Sequence, residues 1–173
     1  MTEDNPTNKI GKIFIWLAWI MAILLLVLIF DDTLDNQYNP NSQPQISLND
    51  AGQAEVVLKQ NRQGHYVTRG TINEAQVVFL LDTGATQVSI PAHIADELQL
   101  QSNGSYNVQT ANGRVKVYST VLEQLSIGNI FLYNVAANIN PAMKSNEILL
   151  GMSALKRVDF SQTGTQLILR ESK

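Results

Sequence analysis

Val77-Val78-Phe79-Leu80-Leu81-Asp82-Thr83-Gly84-Ala85-Thr86-Gln87-Val88-Ser89-Ile90 is the stretch whose reading decides the fold. Its first five residues are apolar without interruption, which predicts a short strand buried on both faces. They run straight into Asp82, and a carboxylate at the end of a buried strand is costly unless something satisfies or uses it. Gly84 lets the backbone turn sharply there, leaving its N–H free to point back at the carboxylate. Thr86 to Ile90, alternating and β-branched, then predicts a second strand leaving the turn. The unit displays one acidic side chain on a rigid support.

Strand and turn signals recur on both sides of this unit. Ala54 to Gln60 and His65 to Gly70 predict two strands around the turn chemistry of Asn61-Arg62-Gln63-Gly64. Pro91 to Leu98 predicts a short helix with Pro91 at its first position, Ser89 as its cap, and Ile94 and Leu98 on one face. Asn112-Gly113 is the dipeptide preferred by type I′ hairpin turns. With those two residues in the turn, Thr110 faces Val115, Val108 faces Val117 and Tyr106 faces Ser119. Tyr106, Val108, Thr110, Val115 and Val117 then share the inner side of the hairpin. Val121 to Ile127 and Ile130 to Ile139 predict two more strands about Gly128-Asn129, Ile148 to Leu150 a short apolar one, Met152 to Arg157 a helix, and Thr165 to Arg170 a last strand. The pattern is that of an all-β domain with one or two short helices and no internal repeat.

Asp82-Thr83-Gly84-Ala85-Thr86 after an apolar strand resembles the active-site signature of aspartic proteases, in the single-motif form of retropepsins. Near the other end, Ile148-Leu149-Leu150-Gly151-Met152-Ser153-Ala154-Leu155 resembles the apolar-apolar-Gly stretch that precedes the short helix of that fold. The order of parts is similar too, and a bacterial membrane-anchored family of retropepsin-like proteases shows the same layout. The resemblance covers about Gln53 to Leu169. It implies a closed, retropepsin-like acid protease β-barrel over residues 53–173, acting on peptide or protein substrates. It also implies that the hairpin tip, Thr110, Ala111, Asn112 and Gly113, belongs to a flap that closes over substrate.

Peptide hydrolysis by that chemistry needs two carboxylates sharing one proton, because like charges about 3 Å apart cannot both ionise. The chain supplies one suitable residue. Asp96 falls in a predicted helix, Asp50 precedes the domain, and Asp159 lacks a following Thr-Gly. Residues 53–173 leave no room for a second lobe, so two copies of Asp82 must meet across the twofold axis of a homodimer. The resemblance gives Thr83 a hydrogen bond across that dimer, the Gly84 N–H an orienting role, and Gly151 close packing behind the site. Two other readings use the same residues: a non-catalytic binding or scaffolding module that keeps barrel and dimer, and a β-domain in which Asp82 only closes a local turn on its own backbone.

The amino-terminal third is of another character. Ile13 to Phe30 is 18 residues without a charge, and at about 1.5 Å per residue it would span about 27 Å, close to the hydrocarbon thickness of a bilayer. Lys9 and Lys12 precede it while Asp31, Asp32 and Asp35 follow, which places residues 1–12 in the cytoplasm and the rest outside. Leu28, Ile29 and Phe30 offer no small-residue cleavage site, so an uncleaved anchor in a bacterial inner membrane, with a periplasmic protease domain, is expected. Residues 31–52, polar and with Pro40 and Pro44, are expected to be an extended linker. A net charge of −3 and a pI near 5.3 give no basic face for nucleic acid. The absence of cysteine excludes a disulfide framework, a zinc knuckle and a thiol nucleophile. Neither His65 nor His93 has a partner at metal-ligand spacing, and no cofactor or metal is expected.

Overall fold

The computed structural model describes residues 6–49, 52–110 and 113–172. It divides into two compact units, Met1–Gln37 and Tyr38–Lys173. The first is helical. Helix α1 (Pro6–Tyr38) is continuous, its side chains from Gly11 to Phe30 are exposed, and it is long and apolar enough to cross a membrane.

Residues 31–52 are not the extended linker expected from their polarity. Asp31 to Tyr38 contains no glycine or proline, and a helix already nucleated propagates at the gain of one hydrogen bond per residue, so α1 runs on to Tyr38. Asn41 is then buried within the second unit. Its side chain donates to the carbonyls of Lys59 and Val67 at 2.9 and 2.7 Å and accepts from the Lys59 N–H at 2.6 Å. Strand β1 (Gln45–Leu48) follows and pairs with β2 (Ala54–Lys59).

The remaining elements are β3 (Val67–Ile72), β4 (Ala75–Leu81), β5 (Val88–Pro91), α2 (Ala92–Glu97), β6 (Ser105–Thr110), β7 (Gly113–Ile127), β8 (Ile130–Asn140), β9 (Ile148–Leu150), α3 (Met152–Leu155), β10 (Val158–Thr163) and β11 (Gln166–Glu171). They form a four-stranded sheet, β1-β2-β11-β10, and a seven-stranded sheet, β3-β4-β9-β5-β8-β7-β6. Pairing of Thr71 with Ser126 and Ile72 with Leu125 joins β3 to β7, so the second sheet closes into a barrel and β6 hangs from β7. Val56, Leu58, Ile72, Phe79, Leu122, Leu125, Ile148, Leu150 and Leu169 fill the core. Full burial of each such side chain contributes about 1.5–3 kcal/mol relative to exposure. The cross-strand pair Arg170–Glu55, at 2.7 Å, links β11 to β2 at the surface.

Four local expectations change. Of Val77 to Leu81 only Phe79 is fully enclosed, because the barrel wall packs on one side and alternation turns Val78 and Leu80 to the other. Pro91 ends β5 instead of starting the helix, and Ser89 caps nothing. Strand pairing with β8 buries Ser89, and its hydroxyl donates to Asn138 Oδ1 at 2.8 Å. The hairpin closes one residue early. Thr110 pairs with Gly113, Val108 with Val115 and Tyr106 with Val117, and the residues between, Ala111 and Asn112, lie outside the described residues. Moving the turn by one residue shifts each partner by two, so the inner side of the hairpin is unchanged. Finally, Met152 to Arg157 is helical only as far as Leu155.

Candidate active site

Asp82 sits where β4 ends, beside β9, its parallel neighbour. Its own N–H donates to the Leu150 carbonyl at 3.2 Å, which fixes the start of the turn to the strand behind it. One carboxylate oxygen accepts the Gly84 N–H at 2.8 Å, the contact that the position of the glycine predicts. The Ala85 N–H returns to the Asp82 carbonyl at 3.2 Å and closes the turn. Asp82 is half-buried, while Thr83 and Gly84 are exposed. Among the described residues the Thr83 hydroxyl has no hydrogen-bond partner.

The segment from Ile148 to Leu155 supports this turn from behind. Met152 and Ser153 donate their N–H groups to the Ala85 and Thr86 carbonyls at 2.8 and 3.0 Å. Gly151 lies between, and a Cβ there would come within 2.6 Å of the Ala85 carbonyl oxygen and closer still to that of Gln87. No other residue fits without moving the acidic turn. The Ser153 hydroxyl accepts the Val88 N–H at 2.9 Å and donates to the Ala136 carbonyl at 2.7 Å, so one side chain ties β5 to β8 at this level. The turn is thus held through its backbone, and the chemistry of its side chains is left free.

In front of Asp82 opens a cleft of about 300 Å³, bordered by Tyr66, Leu81, Thr83, Leu155, Phe160 and Leu167, with Gln162 at its rim. Of these residues, Tyr66, Phe160, Gln162 and Leu167 carry no local signal of a site. Tyr66 precedes a strand and Phe160 alternates within Val158-Asp159-Phe160-Ser161-Gln162, as ordinary sheet residues do. The hairpin β6–β7 reaches the acidic turn on another side, where the Tyr106 hydroxyl donates to Gln87 Oε1 at 2.6 Å. At its tip, Thr110 and Gly113 are half-buried and the Thr110 hydroxyl donates to the Gly113 carbonyl at 2.8 Å; Ala111 and Asn112 lie outside the described residues. His93 is far from this chemistry in role, its ring 3.3 Å from Asn146 Oδ1, and among the described residues no three His, Asp or Glu side chains converge as a metal site would.

A turn that offers one carboxylate, braced by backbone bonds and open to a partly apolar cleft, can hold a water or a peptide carbonyl at that carboxylate. Comparison with known proteins points the same way. A family model described as "gag-polyprotein putative aspartyl protease" matches residues 68–157, which include both Asp82 and Gly151. An uncharacterized protein in the cobV 5′ region of a Sinorhizobium species is 35% identical over 124 residues, 69% of this chain and 53% of the relative. An uncharacterized protein of Rickettsia prowazekii is 28% identical over 107 residues, 60% of this chain and 45% of the relative. The chain therefore spans about half the length of the curated relatives it matches. Among solved structures, a retropepsin-like aspartic protease from Rickettsia conorii is similar at 25% identity with a TM-score of 0.58, over 75% of this chain and 94% of that one.

Proposed function

The chain belongs to the retropepsin-like aspartyl protease family, and from that membership we propose that it is a membrane-anchored aspartic endopeptidase whose dyad is Asp82 from each of two identical chains. The observation that carries this reading is the braced, half-buried Asp82 at the mouth of the cleft, with Gly84 bonded to it and Gly151 behind it. In the assembled pair one carboxylate takes a proton from water as the oxygen attacks the scissile carbonyl. The other, protonated, donates to the carbonyl oxygen. Collapse of the tetrahedral adduct breaks the C–N bond as the first carboxyl gives its proton to the leaving amine and the second takes back a proton from an adduct hydroxyl, so the dyad again holds one proton. Thr83, exposed and with no partner for its hydroxyl among the described residues, would bond across the twofold axis and hold the two turns together. The hairpin tip, Thr110 to Gly113, would cover the substrate.

Helix α1 is the proposed anchor. Lys9 and Lys12 before the apolar run and the acidic residues after it support a cytoplasmic amino terminus and a periplasmic protease domain at a bacterial inner membrane. No cofactor is needed by this chemistry.

The decisive experiment sets the full chain in membranes against Asp82→Asn, with cleavage of a peptide library and oligomeric state read together. Loss of cleavage with the dimer retained is expected. Equal cleavage by both proteins would remove the proposed function.

A further inference from the structure

We infer that the substrates of the Asp82 site are polypeptides themselves held at the membrane, cut in the extended segment that leaves the bilayer on the side of the protease domain. The inference rests on the proposed function and on α1 as its anchor, and it deepens that reading by naming a substrate class. What carries it is how the chain between the apolar run and the barrel is used. As a free linker, residues 31–52 would let the domain rise by as much as about 70 Å. The structure spends them otherwise.

The first compact unit ends at Gln37 and the second begins at the next residue. Tyr38, the last residue of α1, already belongs to the domain, and its carbonyl accepts Asn61 Nδ2 at 3.0 Å. Asn39 and Pro40 form a turn, in which the Asn41 N–H donates to Asn39 Oδ1 at 3.1 Å and the Ser42 N–H to the Asn39 carbonyl at 3.3 Å. Asn41 is then fastened on every side. Beyond its side-chain bonds to Lys59 and Val67, its carbonyl accepts the Arg69 N–H at 3.3 Å and the Thr68 hydroxyl at 3.2 Å. With β1 paired to β2, the polar stretch is part of the folded domain and adds no reach.

Height above the bilayer is bounded by two lengths, whatever orientation the two units take. From Phe30 to Tyr38 the helix rises about 12 Å. A folded unit the length of Tyr38–Lys173 is about 35–40 Å across. The Asp82 turn therefore works within about 50 Å of the apolar run, a depth that an emerging segment crosses in about 15 extended residues. Confining enzyme and target to one such layer raises their effective concentration, an advantage that a freely diffusing peptide does not share.

The test uses the full chain in vesicles, with one peptide sequence taken from those cleaved in the library. That sequence is presented free, or fused to a single membrane span through a helical spacer that sets it about 15 Å or about 100 Å above the bilayer. At equal total concentration the near target is expected to be cut at least tenfold faster than the far one or the free peptide. A variant with a flexible Gly/Ser segment of about 60 residues inserted between Asp35 and Asn36 is expected to cut near and far targets within about threefold of each other, with the free peptide unchanged. Equal cutting of near and far targets by the natural chain, or a free peptide cut as fast as the near one, overturns the inference and leaves the protease reading standing. Cleavage in no arm above that of Asp82→Asn removes both.

Discussion

Asp82 and Gly151 are two halves of one device, the first presenting a carboxylate and the second making room for the turn that presents it. Gly151→Ala is expected to displace the turn by forcing a methyl against two carbonyl oxygens. Activity should fall by more than tenfold, with a stability loss of about 1–3 kcal/mol in denaturant titration. Asp82→Asn, which leaves the backbone bonds intact, should abolish cleavage while the melting temperature stays within a few degrees. Asn41 makes a contrasting case far from the chemistry. Asn41→Ala strips partners from the Lys59 N–H and the Lys59 and Val67 carbonyls in a buried place, and is expected to cost about 2–4 kcal/mol without moving KM in the protein that remains folded.

The hairpin β6–β7 is the element on which substrate closure would depend. From Ser105 to Val117 it is a two-stranded ribbon, marginal by itself, and the Tyr106–Gln87 bond ties it to the acidic turn. Tyr106→Phe removes one such bond, worth about 0.5–1.5 kcal/mol, and should raise KM several-fold in steady-state assays with little change in melting temperature. This element also marks how far local pattern reaches. Alternation identifies its inner side, because the period of two survives a shifted turn. Its pairing is set by Gly113, at φ +105°, standing across from Thr110 inside the ladder, which the preference of Asn-Gly for turns does not reveal. The acidic turn is legible for a stronger reason: five apolar residues ending on a carboxylate followed by glycine leave few alternatives. Phe160 and Tyr66 are not legible, because they reach the cleft only through sheet pairings, such as Phe160 with Leu169 and Leu81 N–H with the Tyr66 carbonyl, that no short window contains. Asn41 fails for the same reason, since its partners lie 18 and 26 residues on.

At the scale of the whole molecule, the proposed dyad would hold one shared proton per pair, and that proton would govern activity. Raising the pH removes that proton and lowering it adds a second, so kcat/KM measured at fixed dimer concentration should fall on both sides of a single window. The extent of the folded domain is testable as well. A fragment beginning at Tyr38 retains Asn41 and β1 and should melt cooperatively. One beginning at Gln53, where family resemblance starts, should melt at a lower temperature or aggregate. The inclusion of β1 in the sheet carries a further consequence for turnover. A scissile segment must lie extended with its peptide groups free to pair with the enzyme. Residues 45–48 have already committed those on one side to β2 and Asn41 has committed its carbonyl to Thr68 and Arg69. A nick in this stretch would first require it to peel away from β2, which opposes shedding of the domain by a cut there.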